Sequence, residues 1–99
     1  MALTKFGFVV CGAGYETSKH RVVLRSPRFE TIVLGVGAPE HGPLAARQLV
    51  DDGVQLVELC GGFGPRWTHH VLDTLPGRVP VGSVAYGPES LAALAALFA

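Results

Sequence analysis

The sequence predicts one α/β domain, residues 1–99, built on a four-stranded and mainly parallel sheet. Three observations predict this fold class. Four short apolar runs lack the alternation of polar and apolar residues, which is typical of parallel strands covered on both faces. Helix signals separate the runs, and a glycine-rich turn follows each run. About four βα units of this kind build a sheet with right-handed crossovers, so we expect helices on both faces.

Each predicted element has its own signal in the chain. Four apolar runs, three of them rich in valine, are the predicted strands: residues 6–11, 31–36, 54–59 and 79–84. A proline, which suits the first turn of a helix because no N–H is needed there, opens each of three predicted helices: Pro39, Pro65 and Pro88. They end at Gly53, at Pro76 and near the end of the chain. Such elements suit a flavodoxin-like or half-barrel-like arrangement.

Residues 17–25 are ambiguous. We favour a short helix, capped by Thr17 or Ser18, which ends before Pro27 because the residue ahead of a proline avoids helical angles. A strand is the alternative, since Val22-Val23-Leu24 would suit one.

The composition excludes several classes of protein. Eight basic and eight acidic residues cancel, so we expect neither nucleic acid nor a membrane surface as a partner. No apolar run is long enough for a membrane span, and the start of the chain lacks a signal-peptide core. Two cysteines do not form a disulfide scaffold, so we expect a cytoplasmic protein with reduced thiols. The spacing of the four histidines does not suit a metal site, and we expect no cofactor.

The glycine-rich turns predict where a ligand binds. In a parallel sheet the carboxyl ends of the strands meet at one edge, and all four turns belong to that edge. Backbone N–H groups and helix N-termini there form a cradle for a small polar or anionic molecule. The predicted ligand-binding residues are Cys11, Gly12, Gly14, Gly61, Gly62, Gly64, Arg66, Ser83, Tyr86 and Gly87.

Residues 61–67 are the most informative of these turns. Arg66 follows the glycines in the first turn of a helix, where its guanidinium could hold an anion or simply face solvent. Phe63 and Trp67 could form the wall of a pocket or belong to the core.

Glu58 and Cys60 are the candidate catalytic residues. A carboxylate inside an otherwise apolar strand is costly unless it is paired, so Glu58 is either a general base or a structural partner. The period of two in a strand predicts Cys60 on the same side, as a possible nucleophile or as a small buried residue. His20 and His41 lie near the same edge and could also act as acid or base.

The last predicted helix indicates self-association. Residues 91–99 contain only leucine, alanine and phenylalanine, whereas a surface helix normally carries a polar stripe. A second copy of the chain is the simplest cover for such a helix, so we expect a homodimer or higher oligomer through residues 88–99.

Several motifs resemble a family of small bacterial α/β proteins, a domain of unknown function. The residues that carry the resemblance run over most of the chain: Lys5-Phe6-Gly7-Phe8, Leu56-Val57-Glu58-Leu59-Cys60-Gly61-Gly62-Phe63-Gly64-Pro65, Pro80-Val81-Gly82-Ser83 and Tyr86-Gly87-Pro88-Glu89. The resemblance implies a fold and a signature but no reaction.

A second resemblance is local. Residues 9–18 are similar to the phosphocysteine loop of sugar phosphotransferase IIB proteins. In those proteins a cysteine at the end of the first strand accepts a phosphoryl group, which implies that role for Cys11.

Three functions follow as hypotheses. The first is binding of a small polar or anionic metabolite at the glycine-rich edge, with lyase or isomerase chemistry that uses Glu58 as the base. The second is a phosphoryl carrier that uses Cys11. The third is a non-catalytic oligomerisation or regulatory module.

Overall fold

The computed structural model describes residues 2–98 and contains one five-stranded sheet with three α-helices. The strands are β1 (Lys5–Cys11), β2 (Arg21–Arg25), β3 (Glu30–Val36), β4 (Val57–Leu59) and β5 (Val81–Ser83). The helices are α1 (Gly42–Asp51), α2 (Gly64–Thr74) and α3 (Leu91–Leu97), with 3-10 turns at Pro39–His41 and Pro88–Ser90 before α1 and α3.

The sheet is mixed but mostly parallel. Its strand order is β2-β3-β1-β4-β5, and β1, β3, β4 and β5 run parallel to one another. Only β2 is antiparallel, against β3. The expectation of an α/β fold with a mainly parallel sheet is confirmed, while the expected number of four strands is wrong.

The fifth strand comes from the ambiguous segment, where the favoured helix is also wrong. Residues 21–25 form β2, and the chain then turns into β3. The hydroxyl of Ser26 accepts the backbone N–H groups of Arg28 and Phe29 at 3.2 and 3.0 Å, which holds that turn. Pro27 therefore lies within a hairpin connection and does not follow a helix end.

Both large helices lie on one face of the sheet, so the expectation of helices on both faces is wrong. The crossovers from β3 through α1 to β4 and from β4 through α2 to β5 advance in the same direction along the sheet. Two right-handed crossovers that advance in the same direction along a sheet place their helices on the same face of that sheet. In agreement with this rule, α1 packs against α2. The connection from β1 to β3 runs through the edge strand β2, so it brings no helix to the other side.

The core lies between the sheet and this helix layer. Small residues of α1 let the helix approach the strands closely: Ala45 and Ala46 are fully buried. A Cβ atom on Gly7 of β1 would lie 2.8 Å from Leu49 Cδ1, so only glycine fits beneath that leucine. The largest fully buried side chains are Ile32, Leu34, Leu49, Leu59, Val9, Val36, Val57 and Val71. Each contributes roughly 1.5–3 kcal/mol by its removal from water.

The opposite side of the sheet, which we call the open face, is apolar and is not covered by α1 or α2. Strand alternation and the observed register place one set of residues on it: Phe6, Phe8, Val10, Val22, Leu24, Thr31, Val33, Gly35, Glu58 and Gly82. Val22 and Leu24 are 56% and 63% exposed. No helix in the described part of the chain combines the length and the apolar character that crossing a membrane requires.

Candidate functional site

The four glycine-rich turns lie at the same edge of the sheet. They follow β1, β3, β4 and β5, which run parallel, so their carboxyl ends point the same way. The edge therefore brings together chain segments that are far apart in the sequence, as the positions of the glycine-rich turns predicted. Three places along it have distinct chemistry: a pair of thiols, a carboxylate on the open face, and a cavity beside α1.

The thiols of Cys11 and Cys60 lie together where β1 and β4 end. The backbone N–H of Cys11 donates a hydrogen bond to Cys60 Sγ at 3.2 Å. Gly62 covers the pair, because a Cβ atom there would lie 3.6 Å from Cys60 Sγ and 3.8 Å from Cys11 Cβ. Both cysteines are free thiols, half-buried against the core.

The surroundings of Cys11 favour its protonated form. Burial raises the pKa of the Cys11 thiol, and the nearby Cys60 and Glu40 raise it further. A catalytic thiolate needs the opposite shift. No helix follows the turn after β1 to supply donors, because β2 occupies that place.

Glu58 faces the open side of the sheet and is exposed, which contradicts the expectation of a buried carboxylate. It has no hydrogen bond or ion pair with any other described residue. With Ser83, Gly82 and Val84 it lines a shallow cavity of about 210 Å³. Ser83 thus lies beside the predicted base.

The structure does not bring Glu58 and Cys60 together. β4 ends at Leu59, so the alternation of a strand does not extend to Cys60, which already belongs to the turn. Cys60 packs against the core while Glu58 faces away from it. The predicted pairing of base and nucleophile is wrong for this reason.

Several of the predicted glycines accommodate neighbouring side chains. A Cβ atom on Gly12 would lie 2.7 Å from the ring of Tyr15, and one on Gly61 would lie 3.2 Å from the ring of Tyr86. A Cβ atom on Gly87 would lie 2.5 Å from a carboxylate oxygen of Glu89. These glycines provide room inside their own turns.

Gly14 and Gly64 have positive φ angles of 85° and 66°, which glycine adopts without strain. Gly64 is the first residue of α2. Arg66, in the first turn of that helix, is exposed and pairs with no other described residue.

Phe63 and Trp67 belong to the packing. Phe63 is 3% exposed. A Cβ atom on Gly42 would lie 2.5 Å from the ring of Phe63, so this ring packs the turn before α2 against the start of α1. Trp67 is half-buried, and its ring lies 4.9 Å from that of His70.

A cavity of about 310 Å³ lies between the turn after β1, the end of β3 and the first turns of α1. Its lining is rich in polar side chains, with apolar residues of β3 and α1 as its floor: Tyr15, Glu16, Thr17, Ser18, Val36, Gly37, His41, Leu44, Ala45 and Gln48. None of the ligand-binding residues named from the sequence lines it. The sequence did name His41 as a candidate acid or base. Its position next to a glycine-rich turn is the sequence feature that could have pointed to this cavity.

The turn that forms one wall of this cavity is held by its own contacts. The backbone N–H of Glu16 donates to His20 Nδ1 at 2.8 Å, and the His20 ring lies 5.1 Å from the ring of Tyr15. The carboxylate of Glu16 pairs with Lys19 at 3.2 Å. His41, on the opposite wall, is exposed, and no described residue bonds to its side chain.

Within residues 2–98, no three His, Cys, Asp or Glu side chains come together in a way that could hold a metal ion. The polar side chains of the cavity therefore offer hydrogen bonds and isolated charged groups to a ligand, and not a cluster of metal ligands.

The family comparison covers nearly the whole chain. The model of a family of unknown function (DUF6506) matches residues 4–99, so the chain belongs to that family. The resemblance to an uncharacterised α/β family is thereby confirmed. No curated protein and no solved structure matches the chain.

Proposed function

We propose that this member of the family binds a small polar or anionic metabolite in the cavity between the turn after β1 and α1. The observation that carries the proposal is the set of polar side chains that two separate segments, the turn after β1 and residues 41–48, contribute to one cavity at the carboxyl edge. Ligands of open α/β sheets bind at that edge. A cytoplasmic location remains a prediction from the cysteine content.

The lining supports a ligand with both acidic and neutral polar groups. The His41 ring lies at the start of α1, where the helix dipole also favours negative charge, so this end of the cavity suits a carboxylate or phosphate. Thr17, Ser18 and Gln48 offer hydroxyl and amide groups, which both donate and accept hydrogen bonds. Glu16 would accept hydrogen bonds from hydroxyl or amino groups of the ligand.

The size of the cavity supports a small ligand. About 310 Å³ lies at the lower end of the range of roughly 300–1,000 Å³ for small-molecule sites. A dinucleotide would exceed it. A sugar acid, a short carboxylic acid or a phosphorylated sugar of modest size fits the same volume and chemistry.

A lyase or isomerase reaction with Glu58 as the base is the second candidate function. The observation that favours it is the unpaired carboxylate beside Ser83 and a cavity of about 210 Å³. Glu58 would remove a proton from a carbon atom next to a carbonyl group. Cys60 does not support this step, because it packs against Cys11 and the core on the other side.

The phosphoryl-carrier hypothesis has less support. A phosphocysteine at Cys11 would lie near the carboxylate of Glu40, and the raised pKa of the thiol disfavours the attacking thiolate. The third hypothesis, a non-catalytic oligomerisation or regulatory module, differs from the primary proposal in that such a module would bind no ligand at the glycine-rich edge.

A ligand screen with matched variants tests the primary proposal. Thermal unfolding with a panel of carboxylic acids, sugar acids and sugar phosphates should reveal compounds that raise the melting temperature, since a ligand of the folded state stabilises it. By calorimetry, His41→Ala should weaken binding of such a compound about tenfold, the usual effect of losing one charge-assisted hydrogen bond. His69→Ala, on the exposed side of α2, is the matched control. Equal affinity in His41→Ala, Gln48→Ala and the control would contradict the proposal, as would a panel without any stabilising compound.

A further inference from the structure

The fold brings the two cysteines of the chain, Cys11 and Cys60, into contact although 49 residues separate them in the sequence. The backbone N–H of Cys11 donates to Cys60 Sγ at 3.2 Å, and both thiols are free and half-buried. The proposed binding cavity and the site around Glu58 use neither sulfur atom. A disulfide within the chain requires this kind of close approach.

The backbone spacing at the two cysteines suits a disulfide. The backbone N–H of Cys60 donates to the carbonyl oxygen of Val9 at 3.1 Å, so Cys60 still lies beside β1 although β4 has ended. Adjacent parallel strands are about 4.8 Å apart, and one residue advances about 3.3 Å, which places the Cα atoms of Cys11 and Cys60 about 6 Å apart. Disulfides most often join Cα atoms about 5.5–6 Å apart, so rotation of the two side chains can bring the sulfur atoms together.

The pair is open to a small oxidant on the side of Gly62. Gly62 is exposed, and a Cβ atom there would lie 3.6 Å from Cys60 Sγ and 3.8 Å from Cys11 Cβ. Because glycine has no side chain, it leaves space beside both cysteines for the oxidant and for the rotation of the sulfur atoms. Hydrogen peroxide carries no charge, so the nearby carboxylate of Glu40 does not repel it.

We propose that Cys11 and Cys60 form a reversible disulfide when the protein meets a hydroperoxide such as hydrogen peroxide. Disulfides that form in a reducing compartment are usually transient and serve catalysis or redox sensing. Cys11 directly precedes the turn that forms one wall of the proposed cavity, so the bond fixes the start of that wall. The disulfide is independent of whether the cavity binds a metabolite.

Cys60 reacts first. Its sulfur accepts the N–H of Cys11, and a thiolate accepts such a hydrogen bond more strongly than a thiol does. Burial, Cys60 and Glu40 instead raise the pKa of the Cys11 thiol. The Cys60 thiol gives its proton to solvent, and the thiolate attacks one oxygen of the hydroperoxide. The O–O bond breaks, the other oxygen takes up a proton and leaves as water or an alcohol, and Cys60 becomes a sulfenic acid.

Cys11 completes the reaction. Its sulfur attacks the sulfur of the Cys60 sulfenic acid, and the S–O bond breaks as the S–S bond forms. The departing hydroxide takes the proton of the Cys11 thiol and becomes water. The two thiols together lose two electrons, and one hydroperoxide is reduced. A dithiol reductant restores both thiols by exchange.

Peroxide treatment of the folded, reduced, full-length chain tests the proposal. Peptide mass spectrometry should find Cys11 linked to Cys60 within one copy of 10.4 kDa, with the loss of two hydrogen atoms and full reversal by dithiothreitol. The link should form at least about tenfold faster in the folded chain than in urea, because the fold holds the thiols in contact. The oxidised chain should unfold at a higher urea concentration, since the link closes a loop between residues 49 positions apart.

Two matched serine variants test the order of the two steps. In Cys11→Ser, a sulfenic acid should accumulate at Cys60 and be trapped by dimedone, because no second thiol displaces the hydroxyl group. In Cys60→Ser, peroxide should oxidise Cys11 at least about tenfold more slowly than it oxidises Cys60 in the other variant. Circular dichroism checks that both variants fold, and the measurement on the unmodified chain does not depend on them.

The disulfide is overturned by links that form only between copies, or by a link that forms no faster in the folded chain than in urea. Sulfinic or sulfonic acid at either cysteine without any linked peptide overturns it as well. Equal rates of oxidation in the two serine variants overturn the order of attack, with Cys60 first, even where the linked peptide is found.

Discussion

The backbone N–H of Cys11 donates to the sulfur of Cys60 over 3.2 Å, which joins the carboxyl ends of β1 and β4. A sulfur that accepts this hydrogen bond serves the structure of the edge. The neighbouring thiol is itself disfavoured as an anion by its burial, by Cys60 and by Glu40. The two cysteines thus support the edge on which the proposed binding cavity lies.

The reactivity of Cys11 should follow its raised pKa. Alkylation of Cys11 by iodoacetamide requires the thiolate, so its rate should rise with pH only above the range of an ordinary cysteine. Glu40→Gln should move that rise to lower pH, because it removes one of the negative charges that disfavour the thiolate. Peptide mass spectrometry distinguishes Cys11 from Cys60. A Cys11 that reacts at neutral pH as fast as a free cysteine would contradict the burial argument.

The same pKa shift links stability to pH. A thiol whose pKa is higher in the folded state stabilises the fold below its unfolded pKa, and this contribution is lost as the pH rises through the folded value. Chemical unfolding of the reduced chain should therefore show a loss of stability at alkaline pH, and Cys11→Ala should lessen it.

Glu30 should make the fold sensitive to acid. Hydrogen bonds from Lys5 and Arg25 lower the pKa of the Glu30 carboxyl, and Lys5 Nζ lies 3.0 Å from Glu30 Oε1. Its contribution to stability is present above the unfolded pKa and is lost as the pH falls through the folded one. Glu30→Gln should lower the unfolding midpoint in urea at neutral pH, with a difference that shrinks in acid. Glu16→Gln, on a more exposed ion pair, is the control. A difference that stays constant down to low pH would contradict the role of the charge.

Gly7 should tolerate no side chain beneath α1. Gly7→Ala places a Cβ atom 2.8 Å from Leu49 Cδ1, and overpacking of this kind costs about 1–3 kcal/mol. Gly77→Ala, where a Cβ atom meets no other atom within 4 Å, is the control and should have little effect. Leu49→Ala alone should cost about 2–5 kcal/mol, and the double variant should lose less than the sum of the two, because the smaller residue relieves the contact. Equal costs for the two glycine substitutions would contradict the close approach.

Glu58 should be dispensable for folding. It is exposed and pairs with no described residue, so Glu58→Gln should change the free energy of unfolding by no more than about 0.5 kcal/mol. A well-folded variant that has lost turnover of a substrate would support the second candidate function. An unfolded variant would indicate instead that the carboxylate has a structural partner.

Local patterns predicted the elements that are buried on at least one face. The run at residues 31–36 is nearly all of β3, and the run at 6–11 is all but the first residue of β1. The predicted strands at 54–59 and 79–84 shrink to Val57–Leu59 and Val81–Ser83, yet Val54 and Val79 remain buried. Apolar runs thus indicate burial more directly than they indicate strand length.

The position of the candidate cavity could not be predicted from the sequence. Glycine-rich turns indicated the edge at which this cavity lies, but they did not indicate which turns enclose space. His41 and Gln48 face Glu16 only because α1 crosses the sheet on the same side as the turn after β1. Beside the glycines themselves, the rings of Tyr15 and Tyr86 occupy the space.

The sequence by itself determined the α/β class, the parallel strands and the edge where the turns gather, because hydrophobic runs and helix-opening prolines act over a few residues. The tertiary structure alone decided that residues 21–25 pair with β3 and that α1 and α2 share one side. Those outcomes depend on strand order and on the direction of each crossover, which are set by contacts between distant segments. The open face, and with it the exposure of Glu58, follows from that choice.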